Sequence, residues 1–420
     1  MSTTRPWSWV PTLYFAQGLP YVVVVTVSTL MYKDLGLSNT ELALYTSGLY
    51  LPWVLKPLWS PVVDGFGRKR AWTVGMQAVG AAGLALLGFS LPTSAFLVAS
   101  LAALWVMAFA SATHDVAADG FYMLALPESQ QAAWAGVRGT AYRIAMILGE
   151  GQLVVLAGYL GGRLGTAAGG WSGAMLAASA VFGLVAAFHA LVLPRPDADV
   201  PTAQGHGLLT EFRDAFVTFF AKPDIGRILA FLLLYRFAEA QLVKMIGPFL
   251  LEDRATGGLG LTTTDVGFAK GTVGVAFLVA GGILGGIAVS RGGLKRWLWP
   301  MVAILHLPDV VFLLFAWLQP ASLWTITAGI AVEQFGYGFG FTAYMLYMIL
   351  ISDGPRKTTH YALGTGIMAL GMMVPGGFSG WLADHLGWRW FFVWVAVATI
   401  PGWIAAALVH IPDDFGRKTT

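Results

Sequence analysis

Twelve ionisable side chains stand inside long apolar stretches of this chain: the bases Lys56, Arg138, Arg143, Arg236, Lys244 and Lys270, and the acids Asp115, Asp119, Glu150, Glu239, Asp309 and Glu333. An ionised group at the centre of a bilayer costs about 3 kcal/mol or more, so such groups face a cavity and have partners. Six bases against six acids point to pairing rather than to a pore of one sign. Asp115 and Asp119 are four residues apart and share a helix face; Arg143 and Glu150, seven apart, share another. At ~1.5 Å per residue, Lys56 lies roughly 12 Å below the helix end marked by Asp64, and Asp115 and Arg143 fall at a similar depth. Lys56, Asp115, Asp119, Arg143 and Glu150 are therefore expected to handle protons, with Asp115 as the main carrier and Lys56 and Arg143 as its partners. When a base swings away from a buried acid, protonation of the acid becomes favourable. The alternative is a fixed structural ion pair that only glues helices, first for Asp119 with Arg138 and then for Asp115 with Lys56. His114 beside Asp115 is read as a neutral hydrogen-bonding residue, His189 as structural, and Asp309 after Pro308 as a structural feature or a site.

A second set suits an anionic, hydroxyl-rich ligand: Arg236 and Lys270 as bases, with Gln17, Tyr21, Glu239, Glu333 and Gln334 as hydrogen-bonding groups. Gly18-Leu19-Pro20 is expected to break its helix beside Gln17, where Tyr14, Phe15, Tyr21 and Trp53 offer flat faces to sugar rings. Asp64, Arg68 and Arg70 form a third set. An acid at a helix end with a basic cluster one turn on can lock two halves in one conformation and release them in another.

These side chains need long apolar elements to hold them. Of the 420 residues, 57% are hydrophobic and 11% charged, against about 25% charged for a soluble protein. That excludes a soluble globule and a disordered chain, and leaves a polytopic membrane protein. The charge of +3 does not indicate nucleic acid, because the bases are scattered through short loops. Zero cysteines exclude disulfides and thiolate chemistry. The first apolar run lacks a small-residue cleavage site and is read as a retained span.

Twelve spans of ~20 or more mostly apolar residues are expected. Their limits are 8–31, 41–63, 71–92, 94–124, 132–160, 170–193, 224–250, 264–290, 295–318, 321–350, 358–383 and 388–410. The fold class is thus all-α membrane protein, with an N-terminal six-helix bundle at 1–193, a cytoplasmic linker at 194–222 and a C-terminal six-helix bundle at 223–420. Fifteen of the 25 Lys and Arg fall in loops on one side, four (Lys33, Arg163, Arg254, Arg389) on the other and six inside spans. By the positive-inside rule both termini and the linker are cytoplasmic. The halves repeat. SPVVDGFGRKR from Ser60, after span 2, matches GIAVSRGGLKR from Gly286, after span 8. At nearly the same offset, GYLGGRLG from Gly158 matches GWLADHLG from Gly380. Two parallel six-helix repeats are the architecture of major facilitator transporters.

The motifs resemble one branch of that superfamily, the AmpG-type muropeptide permeases, akin to acetyl-coenzyme A transporters. Span 1 carries AQGLPY, span 2 LKPLWSPVVD, span 4 SATHDVAADGFY, span 7 YRFAEA, span 8 AKGTVG and span 10 VEQFGYGFGFTAY, each similar to that family's motif at the same place. His114 stands where the family has glutamine, and Phe121-Tyr122 in its tryptophan region. The resemblance implies a proton-coupled secondary transporter in the bacterial inner membrane. It would import a polar, sugar-containing solute, an amino-sugar muropeptide first, with other oligosaccharides, siderophores or coenzyme A esters as the alternative. No catalytic residue, cofactor, metal or nucleic-acid partner is expected. The partners are a small-molecule solute, protons and the lipid bilayer, and the chain is read as a monomer. No Ser/His/Asp spacing, di-histidine metal site or Walker loop suggests an enzyme or an ATP-driven pump. The topology predicts that a cysteine placed at Ala203 reacts with an impermeant maleimide only from the cytoplasmic side; labelling from outside would refute it.

Overall fold

A computed structural model describes residues 6–201, 205–352 and 357–417, apart from the side chains at 61, 64–65, 128–133, 135, 205–209, 211–212, 215 and 357–358. The described residues are helical with short connections, and none lies in a strand. Eight helices are long and apolar enough to cross a membrane by themselves. The last, Thr359–Leu408, holds two expected spans that turn at Gly387, where φ is +69°. Three further spans complete the twelve. Span 2 is split into Asn39–Gly48 and Leu51–Gly65, and span 7 into Ile225–Leu234 and Phe237–Leu251. Span 10, Leu323–Ile351, is continuous but carries Glu333 and Gln334 at its middle.

The residues separate into two compact units, Met1–Met31 with Leu55–Thr210, and Tyr32–Val54 with Glu211–Thr420. The outer piece of span 2 belongs to the second unit because it packs along span 11. There Asp384 accepts from both the backbone N–H and the hydroxyl of Thr40, at 2.8 and 2.6 Å. A Cβ on Gly380 would stand 1.8 Å from the carbonyl oxygen of Asn39, so only glycine permits that approach. Lys33 pairs with Glu252 within the same unit.

The repeat is visible in the backbone. Gly67 and Gly293 occupy the same place in the two matched loops, both have φ of +80°, and each opens the helix that follows. Gly165 and Gly387, the last residues of the second matched pair, have φ of +73° and +69° and end spans 5 and 11. Left-handed backbone strongly favours glycine, so the sequence match marks equivalent turns. The anchors of the two matched loops correspond as well. The Asp199 carboxylate accepts from the backbone N–H groups of Lys69 and Arg70, at 2.7 and 3.1 Å, and caps span 3 (Lys69–Ser90). In the second unit the backbone N–H of Leu294 donates to the carbonyl of Phe415 at 2.9 Å, and Lys295 pairs with Asp413 at 2.5 Å.

Three helices carry π turns: Val23–Val27 in span 1, Ile147–Leu153 in span 5 and Gly267–Gly274 in span 8. The expected break at Gly18-Leu19-Pro20 is therefore corrected. The helix Val10–Val22 runs through Pro20, and a widened turn follows it. Proline removes one N–H and crowds the carbonyl of Ala16, four residues earlier, yet the helix stays unbroken there. Gly18 serves close packing instead, since a Cβ there would lie 2.9 Å from Cβ of Ala145 on span 5.

Small residues set the spacing in the second unit. A Cβ on Gly338 would lie 1.9 Å from the carbonyl oxygen of Leu278 on span 8, and one on Gly336 would lie 2.2 Å from that of Ile304 on span 9. Gly338→Ala should force spans 8 and 10 apart and cost about 1–3 kcal/mol, the usual range for overpacking. Gly286→Ala, which meets nothing within 4 Å, should be close to neutral. Equal melting temperatures for the two variants in detergent would refute this account of the contact.

Candidate functional site

In the first unit, spans 2 and 4 bring Lys56 and Asp115 together, Nζ to Oδ2 at 3.5 Å, with side chains 25% and 15% exposed. At an effective dielectric of 20, two unit charges at that separation attract by about 5 kcal/mol. Removing each ion from water costs several kcal/mol. The two are comparable, so the pair is close to balance and can be remade or broken by a modest change in wetting. Trp59, one turn beyond Lys56, donates to the hydroxyl of Thr113 at 3.2 Å and fixes the two helices in register.

One turn along span 4, Asp119 accepts from Arg138 at 2.8 Å and from the hydroxyl of Tyr14 at 3.0 Å. The Arg138 guanidinium also lies over the rings of Tyr14, 4.2 Å from its centroid, and Tyr122, 4.6 Å. This cluster has a hydrogen bond, an ion pair and two cation–π contacts, and ties spans 1, 4 and 5. Asp119 is thus engaged with Arg138, not with Lys56. Tyr14, expected to present its ring to a sugar, is buried here. Arg143 is half-buried and Glu150 buried. Glu150 sits inside the π turn Ile147–Leu153, between Gly149 and Gly151.

A neutral polar chain crosses the same unit. Gln77 Nε2 lies 2.9 Å from His114 Nε2, Gln77 Oε1 lies 2.9 Å from His189 Nδ1, and His189 Nε2 lies 2.9 Å from the hydroxyl of Thr12. An amide N–H₂ can only donate, so His114 accepts at Nε2. Both rings are then satisfied without a charge, as read for them from the sequence.

The gating set is split. The Asp64 side chain lies outside the described residues, and Arg68 immediately precedes the N-terminus of span 3. Arg70 donates through Nε to the carbonyl of Leu193 at 3.1 Å and through its terminal nitrogen to that of Ala190. It caps the C-terminal end of span 6 (Ala167–Val192), where a cation complements the helix dipole.

In the second unit, Arg236 occupies the break of span 7, directly before Phe237–Leu251. Its guanidinium donates to the Tyr337 hydroxyl and lies over the rings of Phe341, at 4.6 Å, and Tyr337, at 5.1 Å. Glu239 stands in the first turn of that helix, where the dipole favours negative charge. Lys270 is buried in the π turn of span 8, and Glu333 and Gln334 are buried on span 10, joined by a 3.0 Å hydrogen bond from Gln334 Nε2 to Glu333 Oε2. In span 1, Gln17 has a buried Oε1 without a hydrogen-bond partner among the described residues, and Tyr21 lies 6.4 Å from Tyr142, centroid to centroid. Lys244 is buried with Nζ 5.9 Å from the ring centroid of Tyr50.

Sequence spacing missed one grouping. Asp309 lies in a single 3-10 turn, Leu307–Asp309, that Pro308 inserts into span 9, and there it meets Glu239 and Glu333. The proline was the available signal, because an intramembrane proline followed by an acid marks a turn that can aim the acid sideways.

The profile of the Major Facilitator Superfamily matches residues 12–243, more than half of the chain. The protein belongs to the Major Facilitator Superfamily. It is 26% identical to the anhydromuropeptide permease of Escherichia coli K12 over 96% of this chain and 80% of that protein. It is 23% identical to the putative transporter AmpG 4 of Rickettsia felis, over 93% and 92%. The fold matches a bacterial homologue of the human lysosomal transporter Spinster (TM-score 0.72, 16% identity, 97% and 96% covered) and the nucleoside transporter NupG (0.69, 15%, 95% and 98%). This major facilitator protein is therefore a multi-pass membrane transporter of small-molecule solutes with twelve helices, and its relatives are transporters, not enzymes.

The Lys56–Asp115 pair gives a direct test of mutual dependence. Lys56→Gln and Asp115→Asn should each lower the melting temperature, because each removes the ion pair and keeps the desolvation of the half-buried charge that remains. The double variant should recover much of the loss, and strictly additive effects would show the two groups to be independent.

Proposed function

We propose that this transporter is a proton-coupled symporter of the bacterial inner membrane that imports a sugar-containing anion, an amino-sugar muropeptide first. The observation that carries the reading is the Arg236 site, together with similarity to an anhydromuropeptide permease over 96% of this chain and 80% of that protein. A buried guanidinium set over two aromatic rings in the break of span 7 presents a cation beside flat apolar faces, the complement of a carboxylate attached to a pyranose. Lys270, Glu239, Glu333, Gln334, Gln17 and Tyr21 supply further charge and hydrogen bonding. The six-plus-six division at 1–193 and 223–420, cytoplasmic termini and a monomeric state belong to the same reading.

Coupling is assigned to the Lys56–Asp115 pair, with Asp119, Arg143 and Glu150 supporting it. While Lys56 lies against Asp115, the carboxylate keeps its charge. Separation of spans 2 and 4 takes the positive charge of Lys56 away from the acid and favours a proton on it. Asp64, Arg68 and Arg70 are assigned to stabilising the outward-open state by alternating contacts at the cytoplasmic end.

In proteoliposomes, an inwardly directed proton gradient should drive accumulation of a labelled anhydro-muropeptide, and collapse of the gradient should abolish it. Asp115→Asn should lose accumulation while counterflow exchange survives in part. Full accumulation by that variant would remove Asp115 from the coupling role. Arg236→Gln should weaken the anionic muropeptide far more than a neutral disaccharide, whereas an equal loss for both would dismiss the charge-recognition role.

A further inference from the structure

Glu239, Asp309 and Glu333 arrive from spans 7, 9 and 10, and one carboxylate oxygen of each lies within 4.8 Å of the other two. Their exposures are 0%, 3% and 0%. Both oxygens of Glu239, both of Asp309 and Oε1 of Glu333 have no hydrogen-bond partner among the described residues. His306, one turn before Asp309, points at the same place. Its Nδ1 lies 3.9 Å from Asp309 Oδ2, its side chain is 1% exposed, and the ring also donates to the backbone carbonyl of Tyr235.

The surroundings supply too little positive charge. Arg236 on span 7 acts electrostatically on Glu239, and Lys270 on span 8 acts on Glu333. Tyr235 on span 7 and Tyr337 on span 10 are polar but uncharged, and Gln334 donates to Glu333. Lys244 is more than a turn further along span 7, with Nζ over the Tyr50 ring. Three acids against two bases leave one negative charge unanswered in a buried place, and carboxylates this close cannot all stay ionised there. Each acid is held by an irregular backbone turn or a close helix contact. Glu239 follows the span 7 break, Asp309 sits in the 3-10 turn, and Glu333 is one turn before Gly336, which packs on span 9. The cluster is thus built in place and does not arise from mobile side chains.

We propose that Glu239, Asp309 and Glu333, with His306 beside them, form a second proton site, in which one exchangeable proton is bound to a carboxylate oxygen and balances the cluster. The proposal rests on the proton-coupled reading and adds to it a site in the second unit, separate from Lys56–Asp115. A proton entering from water forms an O–H bond on one carboxylate and leaves by the same bond. Arg236 shares span 7 with Glu239, and Lys270 acts on Glu333 from span 8, so arrival of an anionic solute on those bases would change how much positive charge the acids see. That links occupancy by solute to occupancy by the proton.

Infrared difference spectroscopy on the full chain in lipid nanodiscs tests the site without any transport assay. At neutral pH the protein should show the carbonyl stretch of a protonated carboxylic acid, shifted in D₂O. Glu239→Gln, Asp309→Asn and Glu333→Gln should each remove or displace that band, and Asp115→Asn should leave it in place. The amide variants imitate a neutral acid, so at least one should keep the wild-type melting temperature. Absence of the band at neutral pH, or its persistence in all three variants, would overturn the proposal. So would its loss on adding sodium chloride at constant pH, which would make the cluster a metal-ion site. Proton flux driven by muropeptide in wild-type proteoliposomes separates the two readings. No flux with the band present rejects proton coupling, and flux with the band absent rejects this site alone.

Discussion

Charge buried in hydrocarbon must be answered by the protein itself, and this requirement organises the whole structure. The charged groups within the spans are answered in different ways. Lys56 and Asp115 answer one another across spans 2 and 4. Asp119 has both Arg138 and Tyr14, and Arg138 in turn lies over two rings. Arg236 is held by a hydroxyl, by aromatic faces and by the nearby Glu239 carboxylate. The graded strength of these answers separates a cluster that holds helices together from groups that can exchange partners during a transport cycle.

The same requirement explains where the helices are irregular. A regular α-helix uses its own backbone groups and offers none to a solute or a neighbour. The π turns include Glu150 and Lys270, the span 7 break holds Arg236 and precedes Glu239, and a proline-induced 3-10 turn holds Asp309. Between these points the helices are brought together by glycine, as at Gly338 against span 8 and Gly380 against span 2. The glycines next to Glu333 therefore act as rigid spacers, and polar groups from separate spans reach each other because backbones approach closely. Close packing of this kind is a main source of helix association in lipid, where hydrophobic burial gives little preference for helix over lipid.

The fold class and the repeat were written in the chain itself. Apolar runs of spanning length, basic loops and two glycine-marked turns that recur in the second half are local properties, and Gly67, Gly293, Gly165 and Gly387 carry their meaning in their own φ angles. The buried charges were legible as a set for a similar reason, since any ionisable residue within an apolar run stands out whatever its neighbours. Lys56 with Asp115 could be anticipated because depth along a helix scales with residue number. Tertiary structure decided which charge meets which. Tyr14 joined the Asp119–Arg138 pair that the sequence had suggested, Asp309 turned toward Glu239 and Glu333, and the outer piece of span 2 packed along span 11. Those pairings depend on the rotation of each helix about its axis and on turns of π or 3-10 form. Such rotations are fixed by side-chain packing between segments far apart in the chain, and periodicity within one segment holds no record of them.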